Sequence, residues 1–418
     1  MKIINSFVIK IVYVCLLFQM ALVDSKNSII SMFFNYFDEL ITIIILIVAV
    51  SKCLKKLYIN KNDLKLILLF IVFLLIGLIS SIYYRIQAVA IAASDAFICS
   101  KFMIAYIGIR IIFRNKMDSE TMLYSLNKIT KVIVFILFLL TIHDMILPPF
   151  FAKGEYRYFA ESTQLCYPHA TYLAAAVVAL MCVLMCSLHK DGGNFKYLLM
   201  ASCVVIMTLR VKAIAFILVF WLLFFTVCQF RIKSRIALTI MIITGSVYPG
   251  YKQFVSYFFT NNFSPRAVML RDAWILAKES FPLGKGFATF GSNLSVQSYS
   301  SLYHRFGYSS FYGMSEKTAS YLNDGFWQII LGQFGMIGVL LMGLIIYQFF
   351  RNTVVLKNIG TIYVAALSLN IYLIISSTAE TAYFNPFSLL HFIIIAFLMN
   401  QANTYNTISS LNCREGSV

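Results

Sequence analysis

The stretch LILLFIVFLLIGLI, Leu66–Ile79, decides the fold, because it contains no charged side chain along its length. A helix crosses the ~30 Å hydrocarbon core of a bilayer with about 20 mostly apolar residues. Backbone groups in lipid must be paired within the segment, so such runs form helices. Similar runs recur at Ile41–Val50, Val132–Leu140, Leu173–Leu184, Ala213–Val227, Met336–Tyr347 and Phe392–Leu398.

The composition of the 418-residue chain fits the same class. Hydrophobic residues make up 60% of it and charged residues 12%, whereas soluble domains are about half apolar and a quarter charged. The alternation of apolar and polar residues typical of membrane β-barrels is absent. We therefore predict an all-α polytopic membrane protein.

The net charge of +17 would point to nucleic acid in a soluble protein. Here the basic residues cluster between apolar runs, which is the pattern of cytoplasmic loops. No basic run is interleaved with aromatics as nucleic-acid binding requires, so no nucleic-acid partner is predicted. The nine cysteines are scattered without a CxxC motif, so neither a disulfide framework, a metal site nor a cofactor is predicted.

Two spans fit between consecutive basic clusters, so placing every cluster in the cytoplasm gives about twelve spans with both termini inside. The predicted spans are 4–23, 36–51, 66–84, 93–110, 131–148, 167–187, 197–210, 213–230, 236–252, 324–347, 359–378 and 384–400.

Two outer segments are longer than tight turns under this topology. The shorter of them covers 149–166, within the part that contains the first nine spans (1–252). The longer is a large loop at 253–323, which precedes the last three spans and the cytoplasmic tail (324–418). Loops of this length are usually functional or disordered, and the aromatics of the large loop favour a folded one. In this loop, Ser264-Pro265 predicts the start of a helix over Arg266–Ser280.

Several cations lie on the outer side, against the charge bias of membrane proteins. Arg210 and Lys212 occupy a tight outer turn, and Arg157 lies in the first outer segment. A charge at a helix centre in the membrane costs about 2.5–3.5 kcal/mol, so such residues are often functional; snorkelling to the interface is the alternative. Outward cations favour a site for an anionic lipid-borne group, and guanidinium groups bind pyrophosphate oxygens in bidentate fashion.

Acidic residues are scarce, and two at outer span ends are candidate bases. Asp324 lies where the large loop re-enters the membrane, and Glu380 follows a polar patch at a helix end. Helix capping is the alternative for both. Arg271 and Lys278 share one face of the predicted loop helix, which either binds a lipid phosphate or is solvated. Gly284-Lys285-Gly286 lacks the full phosphate-loop pattern, so these glycines are interpreted as a turn.

A family resemblance appears in ordered motifs over about 150–390. Arg271-Asp-Ala-Trp274 is followed by Pro282-Leu-Gly284-Lys-Gly286-Phe287, and Asn323-Asp324-Gly-Phe-Trp by Gly332-Gln-Phe-Gly335-Met-Ile-Gly338. With Arg157 before the sixth span and Arg210 and Lys212 after the seventh, the chain resembles the O-antigen polymerase (Wzy) and O-antigen ligase (WaaL) superfamily of bacterial envelope glycosyltransferases.

The resemblance implies a substrate glycan carried on undecaprenyl pyrophosphate in the bacterial inner membrane. Transfer would occur on the periplasmic side, without nucleotide sugar, metal or cofactor, and a chain-length regulator is a possible partner. Ligases usually carry a His-Asn pair where Asn323-Asp324 stands here. The departure favours lipopolysaccharide or other polysaccharide polymerisation over ligation.

The leading hypothesis assigns three sets of site residues. Arg157, Arg210, Lys212 and Arg271 bind pyrophosphate, Asp324 or Glu380 orients or deprotonates the acceptor, and Tyr158, Trp274 and Tyr321 contact sugar rings. Three alternatives stay open. They are an O-antigen ligase, a flippase or transporter for lipid-linked oligosaccharide, and a membrane scaffold. A flippase or transporter would carry its charges within the spans and would lack a large ordered loop.

Overall fold

The structure, a computed structural model, describes residues 2–25, 27–55, 59–114, 116–158, 160–229, 255 and 264–404. These residues form an all-α membrane protein, as predicted. Among them, six helices are long and apolar enough to cross a membrane: Lys61–Tyr84, Val89–Ile112, Asp118–Ile146, Val211–Gln229, Phe326–Leu356 and Gly360–Ser377. Shorter apolar helices cover Phe7–Val23, Ala170–Cys186, Asn194–Met207 and Pro386–Asn400.

The part of the chain up to residue 229 is helical except for one small hairpin. Its helices are α1 (Lys2–Val23), α2 (Ser28–Asn35), α3 (Phe37–Lys55), α4 (Lys61–Tyr84), α5 (Val89–Ile112), α6 (Lys116–Ile146), α7 (Ala170–Cys186), α8 (Asn194–Met207) and α9 (Val211–Phe224), which continues as a π-helical turn over Phe225–Gln229. Between α6 and α7, strands β1 (Tyr156–Arg157) and β2 (Ala160–Glu161) pair antiparallel.

The part from residue 264 onward begins with a folded loop. Its elements are α10 (Pro265–Glu279), α11 (Asn293–Gln297), α12 (Ser301–Arg305) and a 3₁₀ turn at Tyr308–Ser310. The apolar helices that follow are α13 (Phe326–Thr353), α14 (Gly360–Ser377) and α15 (Pro386–Asn400), with 3₁₀ turns at Val354–Leu356 and Gln401–Thr404.

A helix overlaps each predicted span that lies within the described residues, whereas the predicted span 236–252 lies outside them, so the number of twelve spans stays a prediction. The largest difference in bounds is at α6, which begins at Lys116 instead of residue 131. The intervening sequence has no proline or glycine to interrupt a helix. α6 ends at Ile146 because Pro148 and Pro149 follow, and the residue before a proline disfavours helical backbone.

Buried ion pairs hold together the helices around α5. Lys101 in α5 pairs with Asp38 and, at 2.6 Å, with Glu39 in the first turn of α3. Arg110 near the end of α5 lies 2.9 Å from Asp63 of α4. Charges inside an apolar bundle persist only when paired. Asp38 and Glu39 therefore join α3 to α5 in this structure.

The large loop has a hydrophobic core of its own. The predicted helix is confirmed as α10, and the Ser264 side chain accepts a hydrogen bond from the Ala267 amide as its N-cap. The apolar side of α10 packs against buried aromatics from the rest of the loop, including Phe290, Tyr303 and Tyr308. The loop is therefore a folded layer joined to α13, against which α10 packs.

The loop docks where α13 is broken. Gly335 inside α13 has φ 66° and ψ −160°, so the helix is interrupted there. The Gly332 and Gln333 carbonyls accept hydrogen bonds from the Lys285 and Gly286 amides, each at 2.9 Å. The Gly284-Lys285-Gly286 segment thus forms backbone contacts with the interrupted helix, which its interpretation as a simple turn did not include.

Side chains from α4 and α5 fix the same segment from the other side. Ser81 Oγ accepts from the Phe287 amide at 2.8 Å, and Asp95 Oδ2 accepts from the Ala288 amide at 2.6 Å. The Lys285 ammonium lies 4.3 Å from the centre of the Tyr84 ring. The loop is therefore anchored to the bundle through its backbone, which leaves α10 in a defined position.

Replacing Gly284 by alanine should loosen the loop. A Cβ at this position would overlap the backbone of Gln333 and Phe334, and overpacking of this kind typically costs about 1–3 kcal/mol. We expect faster proteolysis within 264–322 and a lower melting temperature of the purified protein. Gly343→Ala is the matched control, because nothing lies within 4 Å of its added Cβ. Equal protease resistance of the two variants would contradict the docking role.

Candidate functional site

A group of charged side chains lies where the β1–β2 hairpin meets the start of α9, the start of α10 and the segments beside α13 and α14. Lys212 lies within electrostatic range of both Arg210 and Arg266, and Asp324 lies within range of Lys212 and Glu380, so the group is continuous. We call it the rim cluster. Its members are Glu155, Arg157, His169, Arg210, Lys212, Arg266, Asp324 and Glu380.

At the hairpin end, one carboxylate is shared by two arginines. Glu155 Oε2 accepts hydrogen bonds from Arg157 Nε at 3.1 Å and Nη2 at 2.7 Å, and lies 3.7 Å from Arg210 Nη1. The Arg157 hydrogen bond lowers the pKa of Glu155, so this carboxylate stays ionised. The two guanidinium groups therefore converge on one anionic oxygen, which is how arginines also hold a phosphate.

Arg210 connects the hairpin to the start of α7. It occupies the N-cap position of α9 and is 8% exposed. Its Nη2 lies 2.8 Å from His169 Nε2, and His169 is itself the N-cap of α7. Burial, together with the nearby Arg210 and Lys212 charges, lowers the pKa of His169 to about 4. His169 is therefore neutral at physiological pH.

Two ion pairs complete the rim cluster, and each of them contains one of the two candidate bases, Asp324 and Glu380. Lys212 Nζ lies 2.6 Å from Glu380 Oε1, with both side chains largely buried. Arg266 Nη2 lies 3.3 Å from Asp324 Oδ2 and donates to the Ala379 carbonyl at 3.3 Å. The capping alternative for Asp324 is wrong, because Gly325 occupies the N-cap of α13.

Asp324 has the environment of a proton acceptor. Burial raises the pKa of Asp324 above its ordinary value, and the adjacent Arg266 guanidinium opposes that effect. A raised carboxylate pKa brings the group closer to the operating pH of a general base. Glu380, in contrast, is held by the short contact with Lys212. Of the two predicted candidates, Asp324 is therefore better suited to accept a proton.

The structure brings together five of the predicted residues, Arg157, Arg210, Lys212, Asp324 and Glu380, but not Arg271. The Arg271 side chain is 63% exposed and pairs with Asp272 through Nε at 2.9 Å. Among the described residues, no contact joins it to the rim cluster. Arg266 takes the place predicted for Arg271, because five residues along a helix turn the side chain by about 140°.

The three predicted aromatics occupy different surroundings. Tyr158 is 64% exposed and adjoins Arg157 at the turn of the hairpin. Trp274 is 44% exposed on α10, with the Lys278 ammonium 5.7 Å from its ring centre. Tyr321 is 37% exposed, and its ring centre lies 6.3 Å from that of Tyr312. Tyr158 thus borders the rim cluster, whereas Trp274 and Tyr321 belong to the loop.

Three members of the rim cluster, Glu155, His169 and Arg266, were not predicted as site residues. Arg266 had one available signal, since it directly follows the Ser264-Pro265 helix start and so lies near the loop's attachment to the bundle. Glu155 and His169 are recognisable only from their contacts with Arg157 and Arg210.

No protein-family model matches this chain, and no curated protein sequence matches it. The resemblance to the polymerase and ligase superfamily therefore stays a prediction. The geometry of the rim cluster is the basis for the function proposed below.

The Lys212–Glu380 pair offers a test of that geometry. Glu380→Ala leaves the largely buried Lys212 without its partner, so we expect a loss of roughly 3 kcal/mol in stability. The double variant Lys212→Ala/Glu380→Ala should recover part of that loss. Thermal unfolding of the detergent-purified protein measures both. Lys153→Ala removes the more exposed pair with Glu161 and should cost under ~1 kcal/mol. If the stability loss of the double variant equals the sum of the losses in Lys212→Ala and Glu380→Ala, the predicted coupling is contradicted.

Proposed function

We propose that this protein is a polysaccharide polymerase of the O-antigen type. It would transfer a glycan from undecaprenyl pyrophosphate to a lipid-linked repeat unit at the periplasmic face of a bacterial inner membrane. Twelve spans and cytoplasmic termini would place the rim cluster on that face. The supporting observation is the convergence of four cations with the half-buried carboxylate of Asp324 and the largely buried carboxylate of Glu380, beside a folded loop.

The cations suit a pyrophosphate. Arg157 and Arg210 already converge on one carboxylate oxygen, and the Glu155 side chain that supplies it is 68% exposed. A substrate phosphate would displace Glu155 and bind the same two guanidinium groups. Lys212 lies within electrostatic range of both Arg210 and Arg266, so Lys212 and Arg266 would meet the second phosphate. Four cations against three carboxylates leave an excess positive charge for an anionic substrate.

The chemistry is one glycosyl transfer. The bond between the donor's anomeric carbon and the pyrophosphate oxygen breaks, and the acceptor hydroxyl oxygen bonds to that carbon. Asp324 takes the hydroxyl proton, and undecaprenyl pyrophosphate leaves with the electron pair. Preorganised cations stabilise the negative charge that develops on the leaving group. Proton transfer by a positioned carboxylate contributes typically 10²–10⁴-fold to such a step.

The folded loop supports transfer to a positioned acceptor. Its backbone is anchored to α13 and to Asp95, and its two ends carry Arg266 and Asp324, which pair with each other. Trp274 would stack on a sugar ring, since its exposed indole offers an apolar face. A rigid outer layer of this kind would hold the acceptor glycan while the lipid carriers remain in the membrane.

Arginine variants test the binding role. Arg210→Ala and Arg266→Ala should each abolish long polymer, because each removes a charge-assisted bond to pyrophosphate. Arg271→Ala should retain polymer of at least half the normal amount, because Arg271 pairs with Asp272 outside the rim cluster. The measurement is the length distribution of surface glycan at matched membrane levels of each variant. The opposite ranking would return the binding role to Arg271.

The pH dependence tests Asp324 as the base. Protonation disables a carboxylate base, so the rate falls as pH drops through the pKa of Asp324. Because burial raises that pKa, the acid limb of kcat/KM should lie above the ordinary aspartate value of about 3.9. A glycan-transfer assay over a pH series measures it. A limb at or below pH ~3.9 would exclude Asp324 from this role.

Deletion of the gene in its host separates the candidate functions. A polymerase deletion leaves surface acceptor carrying a single repeat unit. A ligase deletion leaves bare acceptor and long polymer on the carrier lipid, and a flippase deletion traps repeat units on the cytoplasmic side. Gel analysis of the surface glycan and of the lipid-linked pool distinguishes the three. We expect the first pattern, and either of the others would overturn the proposal.

A further inference from the structure

The helix α10 runs alongside the half of α13 that is nearest the rim cluster. At the start of α10, Arg266 pairs with Asp324, which lies just before α13. Beyond its end, the Pro282 carbonyl accepts a hydrogen bond from the Ile337 amide at 3.3 Å, past the break in α13. The two helices are therefore antiparallel, and the end of α10 lies deeper along the membrane helices than its start.

Two membrane helices give the depth of that end. Basic residues mark the membrane boundary opposite the rim cluster, and a hydrocarbon core of ~30 Å takes about 20 helical residues. Counting about 20 residues from Arg351 along α13 reaches Leu331, and the same count from Lys65 along α4 reaches Arg85. The edge of the hydrocarbon core on the rim-cluster side therefore lies near Leu331 and Arg85.

The segment after α10 is bonded to the bundle at this level. The Lys285 amide donates to the Gly332 carbonyl at 2.9 Å, and the Phe287 amide donates to Ser81 Oγ at 2.8 Å. Phe281, which lies between α10 and this segment, is 72% exposed. An exposed phenyl ring at the edge of the hydrocarbon core contacts lipid acyl chains.

Cations gather at the same end of α10. Lys285 Nζ lies 3.5 Å from Glu279 Oε2, and Arg305 Nη1 donates to that oxygen at 2.8 Å. Lys278 is exposed on α10 next to Glu279, and Arg85 is exposed at the end of α4, next to the tyrosine that contacts Lys285. We call these five residues the interface patch. Four cations with one carboxylate give it an excess of positive charge.

The interface patch is distinct from the rim cluster. The helix rises about 18 Å from Arg266 to Lys278. Ile82 and Tyr83, which precede Arg85 in α4, are 69% and 77% exposed. Exposed cations thus adjoin exposed apolar side chains at a membrane boundary. A ligand that matches both has a negative charge above and hydrocarbon chains below.

We propose that the interface patch binds the phosphate groups of anionic phospholipids. Lys278 and Arg85 contact phosphate oxygens at the level of the headgroups, and Phe281 lies against the acyl chains. A basic residue near a membrane surface favours anionic lipid by about fivefold. The large loop is thereby held to the membrane as well as to the bundle. This inference does not rest on the proposed polymerase activity.

The other exposed side chains of α10 fit the same placement. Trp274 has the Lys278 ammonium 5.7 Å from its ring centre and lies among the headgroups, where aromatic side chains are enriched and where the sugar of a carrier lipid begins. Arg271 lies about 10 Å further along the helix from the membrane boundary and pairs with Asp272. Lipid binding therefore applies to Lys278, and solvation applies to Arg271.

Photo-crosslinking identifies the lipids that contact position 281. The full-length protein, with p-benzoylphenylalanine in place of Phe281, is reconstituted into nanodiscs of dioleoylphosphatidylglycerol and dioleoylphosphatidylcholine in equal amounts. Mass spectrometry of the adducts gives the ratio of the two lipids. We expect phosphatidylglycerol to be in excess by about fivefold or more. The same crosslinker in place of Phe135, which is 45% exposed within α6, should give nearly equal amounts.

Charge variants of the crosslinking protein identify the cations. Arg85→Ala/Lys278→Ala should reduce the excess of phosphatidylglycerol to under about twofold, because the two exposed cations are gone. Lys278→Arg should keep the excess. Arg271→Ala is the matched control, because it removes an exposed cation of α10 outside the interface patch, and it should also keep the excess. Free inorganic phosphate should leave the ratio unchanged.

The contrary outcomes can be told apart. Absence of lipid adducts at position 281 would overturn the depth assigned to the end of α10. Equal amounts of the two lipids, or an excess that persists in Arg85→Ala/Lys278→Ala, would overturn the phosphate site. Loss of the excess on addition of farnesyl diphosphate would assign the interface patch to an isoprenoid diphosphate instead of a phospholipid. The first two outcomes would leave the rim cluster and its proposed activity untouched.

Discussion

Pairing of charges at the end of an apolar helix bundle is the constraint on which the rest of this structure depends. A cation there is costly unless a carboxylate or a hydrogen-bond acceptor lies beside it. Each cation of the rim cluster has such a neighbour: Glu155 for Arg157 and Arg210, Glu380 for Lys212, and Asp324 for Arg266. These pairs connect the hairpin, α9, α10 and the segments beside α13 and α14.

The same pairs explain the placement of the large loop. Arg266 follows the start of α10 and Asp324 precedes α13, so one ion pair joins two residues 58 positions apart at opposite ends of the loop. The interruption of α13 at Gly335 frees backbone carbonyls that bind the loop's glycine segment. Loop and bundle are thus joined both by charge and by backbone hydrogen bonds. A site built on these contacts stays in register with the membrane helices.

Much of the helical architecture was predictable, because the backbone groups of a long apolar run in lipid must be hydrogen-bonded within the run, and a helix does this. The helix α10 was predictable as well, since its N-cap serine, its first-turn proline and its terminating proline are local signals. Arg210 and Lys212 were identified because outward cations oppose a strong charge bias. Five of the six predicted binding and catalytic residues belong to the rim cluster. Charges near the membrane are costly unless they are paired, so cations and carboxylates at this end of the bundle lie beside each other.

The remainder depends on geometry that the sequence does not encode locally. The sequence does not show which side of α10 faces the bundle, because the loop's own core sets the rotation of the helix about its axis. Arg271 was therefore predicted in the position that Arg266 occupies. His169 contacts Arg210, which lies 41 residues further along the chain, and no local sequence pattern predicts that contact. The interruption at Gly335 is hidden within an apolar stretch, because glycine is common in membrane helices and only its left-handed φ marks the break.

Reconstitution of the purified protein would show whether it joins lipid-linked repeat units by itself. The purified protein would be placed in vesicles with one substrate, a single repeat unit on undecaprenyl pyrophosphate, and without nucleotide sugar or other proteins. We expect lipid-linked chains of two or more repeat units, with one undecaprenyl pyrophosphate released for each bond formed. Repeat units that remain single, in vesicles where the protein is folded and the substrate faces the rim cluster, would contradict the proposed polymerase activity.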